Sequence, residues 1–164
     1  MEDGAKKQVL LLVEDDPVYA QFIVSALRKS FSSLHLTHCS DVNQALAYLR
    51  GEPPYADRET HPMPDVVLLD ITLGASTGFP VLRWLHENGH LQSEKVRVVM
   101  LTASNDTRHV QEALRLGALS YLVKSPTAEN LVSLLTRWVP LPSRATAGEP
   151  SSGMQPPLKP PPCE

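Results

Sequence analysis

Three acidic side chains stand together in the segment VLLLVEDDP, directly after a run of five apolar residues. Carboxylates gathered at one point repel one another unless a cation compensates their charge. A hard divalent cation does so, and Mg²⁺ binds through one or two carboxylates while it keeps several waters. Glu14 and Asp15 are therefore candidate ligands of Mg²⁺, whereas Asp16 precedes Pro17 and is expected to cap a helix.

Three further reactive side chains each end an apolar run elsewhere in the chain. Asp70 ends DVVLLD, Thr102 ends VRVVMLT and Lys124 ends SYLVK. A carboxylate can act as the nucleophile that accepts a phosphoryl group, and a hydroxyl beside an ammonium group can bind the phosphoryl oxygens. With the acidic segment, these residue types predict a metal-assisted phosphoryl site in which Asp70 is the nucleophile.

The apolar runs that precede these residues are predicted to be strands of one parallel sheet. Continuous apolar runs are typical of strands covered on both faces, and alternation with helices is typical of a doubly wound α/β fold. Ligands bind outside the carboxyl ends of such strands, so the reactive side chains are expected to meet at one edge. The five runs, which alternate with five segments of helical periodicity, are 8–13, 34–39, 65–70, 96–102 and 120–124.

Composition divides the chain into one folded domain and two flanking segments. The length of 164 residues and the hydrophobic content of 42% suit a single globular domain. We expect an N-terminal extension over 1–7, a folded domain over 8–139 and a disordered, proline-rich tail over 140–164. Eight of the last 25 residues are proline, and a segment with so little apolar content cannot bury enough surface to fold. The segment 51–64, with four prolines, is predicted to be a loop.

Charge and cysteine content argue against several classes of function. The net charge of −3 gives no basic surface for DNA, and no apolar run approaches the length of a membrane helix. The two cysteines, Cys39 and Cys163, have no CxxC partner, so a disulfide framework is not expected. These features predict a cytoplasmic protein that binds neither DNA nor membranes.

Four motifs in this order resemble the receiver domain of two-component response regulators, and the resemblance covers residues 8–139. It implies a CheY-like, flavodoxin-like (βα)5 fold with strand order 2-1-3-4-5, and a single-domain signalling protein rather than an enzyme. The long 51–64 loop is similar to that of regulators that partner bacterial phytochrome-type kinases. The motifs are LLVEDDP, DVVLLDITLGASTG, VVMLTAS and GALSYLVKSP.

The resemblance also implies roles for the residues of the acidic site. Asp70 is expected to accept a phosphoryl group from the phosphohistidine of a sensor histidine kinase. Glu14 and Asp15 are expected to hold Mg²⁺ together with Asp70 and the backbone carbonyl of Thr72.

Three more residues take roles in binding and in the switch by the same resemblance. Thr102 is expected to hydrogen-bond the phosphoryl group, Lys124 to pair with it, and Tyr121 to swing inward when Thr102 moves; packing is the ordinary alternative for Tyr121. Two positions depart from the family pattern, because Gly74 and Ser125 stand where proline is usual. The family's peptide bond after the lysine is typically cis, which costs about 2.5–4 kcal/mol without proline.

Signalling is expected to pass through protein–protein contacts, since no DNA-binding output domain is predicted. The partner is a downstream target or a phosphotransfer protein, and the surface of the fourth helix, fifth strand and fifth helix is predicted to bind it or to form a homodimer. One rival is a phosphorylation-independent adaptor, favoured by Gly74 and Ser125. Another is a Mg²⁺-dependent phosphohydrolase with an aspartate nucleophile, disfavoured because Thr72 replaces the usual second acid.

Overall fold

The computed structural model describes residues 7–103, 107–124 and 126–137. The predicted tail over 140–164 and nearly all of the predicted extension over 1–7 lie outside these residues. In chain order the elements are β1 (Val9–Val13), α1 (Pro17–Ser30), β2 (His35–Cys39), α2 (Val42–Arg50), β3 (Val66–Asp70), β4 (Thr72–Leu73), β5 (Ser76–Thr77), α3 (Phe79–Glu87), β6 (Arg97–Thr102), α4 (Thr107–Arg115), β7 (Ser120–Val123) and α5 (Ala128–Thr136).

Five of the strands form one sheet in the order β2-β1-β3-β6-β7. Every neighbouring pair is parallel, from β1 with β2 to β6 with β7. Counted among these five strands alone, the order is 2-1-3-4-5, so the prediction of a doubly wound sheet is confirmed. Reversal of the strand order beside β1 places a crevice at the carboxyl ends of the central strands.

The helices cover the two faces of the sheet, and alternate residues of each central strand point to opposite faces. Leu10 and Leu12 pack in one cluster with residues of α1 and α5. Leu11 and Val13 pack in the other, with residues of α2, α3 and α4. Both clusters are buried, which is why the central strands are apolar without alternation. Among the described residues, no helix has the length and apolar character needed to cross a membrane.

A small hairpin of β4 and β5 follows β3 and was not predicted from the sequence. Its two strands pair antiparallel, with Thr72 opposite Thr77 and Leu73 opposite Ser76. Gly74 begins the two-residue turn with φ +59°, a left-handed conformation that glycine adopts without strain. Strands of two residues carry no hydrophobic periodicity, so pattern analysis does not find them.

Side-chain caps fix where the first two helices begin. The Asp16 carboxylate accepts hydrogen bonds from the backbone N–H groups of Val18 (2.8 Å) and Tyr19 (3.1 Å). Asp41 accepts one from Gln44 at 2.8 Å. The capping role predicted for Asp16 is therefore confirmed, and α1 begins immediately after the acidic segment.

The predicted loop over 51–64 contains neither helix nor strand, yet it packs closely against α2. The Arg58 guanidinium donates hydrogen bonds to the carbonyls of Leu49 (2.7 Å), Tyr48 (2.8 Å) and His61 (3.1 Å). The Tyr48 hydroxyl donates to the Pro62 carbonyl at 2.7 Å. These contacts satisfy carbonyls at the C-terminal end of α2, where a cation is also favoured by the helix dipole.

Arg58→Ala is expected to lower the free energy of unfolding by about 1–2 kcal/mol, because hydrogen bonds from a charged donor to three carbonyls are lost at a partly exposed site. Urea denaturation measures the effect. Arg50→Ala is the matched control, since Arg50 lies nearby but its ion pairing among the described residues is an exposed contact with Glu52 at 3.8 Å. Equal stability of the two variants would contradict the anchoring role of Arg58.

Candidate functional site

The reactive side chains predicted from the sequence meet at the carboxyl edge of the main sheet. Glu14 follows β1, Asp70 ends β3, Thr102 ends β6 and Lys124 follows β7. The side chains of Glu14, Asp70 and Thr102 are the buried polar ones among the described residues, with exposed fractions of 0%, 2% and 4%. Burial of so many polar groups at one point requires that they bind one another or a ligand.

The backbone at the end of β1 is held rigidly by the neighbouring strand. The N–H group of Glu14 donates to the carbonyl of Cys39 at 3.0 Å, which extends the pairing of β1 with β2. The His38 ring nitrogen Nε2 lies 2.8 Å from the Glu14 carbonyl. Glu14 Oε1 in turn accepts a hydrogen bond from the N–H group of Asp16 at 3.0 Å. The carboxylate is thus fixed before any ligand arrives.

The carboxylates of Glu14, Asp15 and Asp70 form one compact group. Each offers an oxygen atom, and the three oxygens lie within 4.8 Å of one another. Asp16 is not a member of this group and serves as the helix cap instead, as predicted. An all-oxygen set of this kind is suited to Mg²⁺ or a similar hard divalent cation.

Lys124 compensates part of the negative charge. Its Nζ atom donates to Asp70 Oδ2 at 2.5 Å and lies 2.8 Å from Glu14 Oε2. Its backbone N–H donates to the Thr102 carbonyl at 2.7 Å, so the residue follows β7 in sheet register. The structure thus places Lys124 beside the carboxylates although Ser125 stands where proline is usual. Ser125 itself lies outside the described residues.

The pKa values of Glu14 and Lys124 are both raised, for different reasons. Burial raises the pKa of Glu14 above its ordinary value, and the charge of Asp70 adds to the shift, while Lys124 opposes it. Burial alone lowers the pKa of the Lys124 ammonium, but its bonds to Asp70 and Glu14 outweigh that effect and the pKa of Lys124 is raised. Lys124 thus stays protonated at neutral pH.

The charge of the acidic group indicates that its residues fit a metal ion. Lys124 Nζ contacts Asp70 Oδ2 at 2.5 Å and Glu14 Oε2 at 2.8 Å, so it supplies one positive charge against three carboxylates. The negative charge that remains is costly at a largely buried site unless a further cation binds there. A divalent cation held by the three carboxylates compensates it directly.

Gly74 orients the Asp15 carboxylate, a role that sequence reasoning missed. Its N–H group donates to Asp15 Oδ2 at 2.9 Å, which ties the turn of the β4–β5 hairpin to the acidic group. Proline lacks this N–H and cannot adopt φ +59°. The departure from the family pattern at this position therefore maintains the orientation of Asp15. A glycine opening a two-residue hairpin turn is the sequence signal that could have identified it.

The hairpin also fixes the Asp70 carboxylate. The Thr72 N–H group donates to Asp70 Oδ1 at 3.0 Å, so both oxygens of Asp70 are engaged. Gly78, which follows the hairpin, passes so close to Asp70 that a Cβ atom there would lie 2.2 Å from its carbonyl oxygen. The predicted ligation by the Thr72 carbonyl stays a prediction, although Thr72 lies beside Asp70.

The proposed switch residues lie on neighbouring strands. Tyr121 is 46% exposed on β7, the edge strand next to β6. Thr102 pairs in register with Val123, two residues beyond Tyr121. Leu122 packs towards α1 and α5, so alternation places Tyr121 and Val123 on the other face, which Thr102 also faces. An inward movement of Tyr121 stays a prediction.

A second residue that the sequence did not assign to the site is Tyr19, in the first turn of α1. Its ring centroid lies 4.9 Å from Lys124 Nζ. Its spacing from Ile23 and Leu27 is that of the apolar face of a helix, which carries no signal for a site. Contact between a helix and the end of a strand is a tertiary feature that no local pattern encodes.

Comparison with known proteins finds one family whose model matches most of the described chain. Residues 10–136 match the model of the response regulator receiver domain. The chain is 30% identical to the response regulator Rcp1 of Synechocystis over 82% of the chain and 88% of that protein. It is also 30% identical to the probable C4-dicarboxylate response regulator DctR of Halalkalibacterium halodurans, of which it spans only 50%.

Solved structures give the same result. The phosphorylated cyanobacterial phytochrome response regulator RcpA matches with a TM-score of 0.69 and 28% identity, covering 83% of this chain and 99% of that one. The bacteriophytochrome response regulator RtBRR matches with a TM-score of 0.69 and 32% identity, over 88% and 84%. The Mn²⁺-bound form of Rcp1 matches with a TM-score of 0.67 and 29% identity, over 83% and 99%.

Mg²⁺ is expected to stabilise the protein, because it binds the folded carboxylate group and not the unfolded chain. At about one hundred times its dissociation constant, the gain is about 2.7 kcal/mol. Thermal unfolding with increasing Mg²⁺ measures it. Asp15→Asn should abolish this gain in stability. Asp16→Asn should retain it, because Asp16 lies outside the carboxylate group and asparagine can still cap the helix. Equal stabilisation of both variants would make the metal assignment wrong.

Proposed function

The chain belongs to the response regulator receiver domain family, and on that premise we propose that Asp70 accepts a phosphoryl group from the phosphohistidine of a sensor histidine kinase. Receiver domains are the phosphoryl-accepting modules of response regulators, which are generally signalling proteins and not enzymes. The observation that carries the proposal is the partly buried contact between Lys124 Nζ and Asp70 Oδ2 at the edge of an acidic group.

The residues around Asp70 suit the transfer of a phosphoryl group. An oxygen of Asp70 bonds to phosphorus as the P–N bond of the donor breaks, and the departing imidazole keeps the electron pair of that bond. The Thr72 N–H group holds Asp70 Oδ1 throughout. Lys124 moves from Asp70 Oδ2 to an oxygen of the incoming group, because a dianion attracts the ammonium more strongly than a carboxylate does.

Receiver domains bind a divalent metal ion at their acidic pocket, and we assign Mg²⁺ to this one. The proposed ligands are the carboxylates of Glu14, Asp15 and Asp70 with the carbonyl of Thr72. Mg²⁺ bound there would neutralise negative charge on the phosphoryl oxygens. The charge of the three carboxylates, which Lys124 compensates only in part, supports the assignment.

The phosphorylated state is proposed to reach the surface through Thr102 and Tyr121. Turning the Thr102 hydroxyl towards the phosphoryl oxygens forms a hydrogen bond to a charged group, worth about 1.5–3 kcal/mol. That movement leaves space on the face of the sheet towards which Tyr121 points. A bias of this size changes a two-state population about tenfold or more.

Output is proposed to occur by protein–protein contact on the surface of α4, β7 and α5. Several apolar side chains there are partly exposed, which is characteristic of an interaction surface. A downstream target, a phosphotransfer protein or a second copy of the chain is the proposed partner. Similarity to phytochrome regulators favours a bacteriophytochrome as the kinase, and with it a cytoplasmic location. The exposed apolar residues are Leu114 (44%), Leu119 (45%), Tyr121 (46%) and Val123 (39%).

The structure bears differently on the two rival functions, the adaptor and the phosphohydrolase. Gly74 no longer favours a phosphorylation-independent adaptor, because its N–H group orients Asp15. A phosphohydrolase still lacks a second acid two residues after the nucleophile, where Thr72 stands. Of the two departures from the family pattern, Ser125 alone still favours the adaptor.

Incubation with acetyl phosphate and Mg²⁺ tests the proposal. We expect one acid-stable, hydroxylamine-sensitive phosphoryl group per chain by intact-mass spectrometry, none on Asp70→Asn, and normal incorporation on Asp65→Asn. Asp65 precedes the opposite end of the same strand, where it accepts a hydrogen bond from Val9. No incorporation by the wild type would favour the adaptor, and turnover of many equivalents would favour the phosphohydrolase.

Thr102→Ala and Tyr121→Ala are expected to bind beryllofluoride, a mimic of the phosphoryl group, without changing their self-association. The wild type should associate about tenfold or more tightly with the mimic, because Thr102 and Tyr121 couple the site to the surface. Analytical ultracentrifugation gives the self-association dissociation constant with and without the mimic, and the ratio of the two constants is the quantity compared. Leu119→Ala, on the same surface, should keep the ratio. A wild-type ratio in both switch variants would exclude this route.

A further inference from the structure

We propose that Tyr19 is a positioning residue that holds the Lys124 ammonium over Asp70; this inference rests on the phosphoryl-accepting role of Asp70. The Tyr19 ring centroid lies 4.9 Å from Lys124 Nζ, within the range in which an aromatic face attracts a cation. The same ammonium contacts Asp70 and Glu14 at 2.5 and 2.8 Å. The Lys124 ammonium thus contacts two carboxylates and, as an uncharged third partner, the Tyr19 ring.

Lys124 needs such a contact because of where its backbone lies. β7 is an edge strand with a single partner, β6, and its side chains are only partly buried. Lys124 follows the last residue of this strand, and its N–H bond to Thr102 fixes the backbone but not the long side chain. A lysine side chain has a flexible four-carbon stem, whose rotamer freedom its contacts must restrict.

Tyr19 is itself anchored independently of β7. Its N–H group donates to the capping Asp16 at 3.1 Å, and its ring stacks on Phe22 with centroids 6.1 Å apart. It also packs against the cluster formed by α1, α5 and the sheet. The ring therefore keeps its place when Lys124 exchanges a carboxylate for a phosphoryl oxygen, and it limits how far the ammonium moves.

The Tyr19 hydroxyl has no part in this role. It is buried, and no described residue forms a hydrogen bond with it. The aromatic face is the part of the side chain that interacts with the ammonium, so removal of the hydroxyl alone preserves the interaction. Tyr19→Phe is accordingly the matched control for Tyr19→Leu, which keeps an apolar side chain but removes the ring.

The first measurement is the NMR chemical shift of the Lys124 ε-methylene group in the unphosphorylated protein. Its signal is assigned by its loss in Lys124→Met. An aromatic ring beside the ammonium shifts this signal upfield, so the shift should be present in the wild type and in Tyr19→Phe and absent in Tyr19→Leu. An unchanged signal in Tyr19→Leu would overturn the inference whether or not Asp70 accepts a phosphoryl group.

The second measurement is the affinity for beryllofluoride at saturating Mg²⁺, by calorimetry. Tyr19→Leu should bind about three- to tenfold more weakly than the wild type, because an ammonium that the ring no longer holds must be ordered when the mimic binds. Tyr19→Phe should restore the affinity, and Tyr19→Leu should have no further effect in a Lys124→Met background. Wild-type affinity in Tyr19→Leu, or an equal loss in the Lys124→Met background, contradicts the inference. No binding by the wild type contradicts the proposed function instead.

Discussion

Three carboxylates lie within 4.8 Å of one another at the carboxyl edge of the sheet, where water is largely excluded from two of them. Near a protein surface, two like charges 4 Å apart repel by about 4 kcal/mol, a large fraction of a domain's stability. The folded chain tolerates this arrangement because Lys124 lies between Asp70 and Glu14. Backbone N–H groups that donate hydrogen bonds to each carboxylate offset part of the same repulsion.

The scaffold supplies those hydrogen bonds from backbone that is already fixed. The pairing of β1 with β2 holds Glu14, while the β4–β5 hairpin presents one N–H group to Asp70 and another to Asp15. Donors fixed in this way lose no further entropy when a metal ion or a phosphoryl group binds. The hairpin, small as it is, therefore determines the geometry of the acidic group as much as the main sheet does.

Lys124 differs from the carboxylates because it comes from the edge of the sheet. The carboxylates lie at the ends of the central, buried strands β1 and β3, whereas β7 is half exposed and lies at the edge of the described sheet. The position of the cation therefore depends on its side-chain partners more than on its strand, and these are Asp70, Glu14 and the Tyr19 ring. This difference suits a switch, in which the charge balance changes while the acidic group stays in place.

Local sequence patterns were enough to predict the parallel sheet, the five helices, the cap at Asp16 and the identity of the acidic and basic residues. Continuous apolar runs indicate the strands, helical spacing indicates the helices, and an aspartate before proline indicates the cap. It did not determine the hairpin, the N–H bond from Gly74 to Asp15, the packing of the 51–64 loop on α2 or the Tyr19 ring beside Lys124. Each of these joins residues far apart in the chain or uses backbone groups common to all residues, so each becomes visible once the chain is folded.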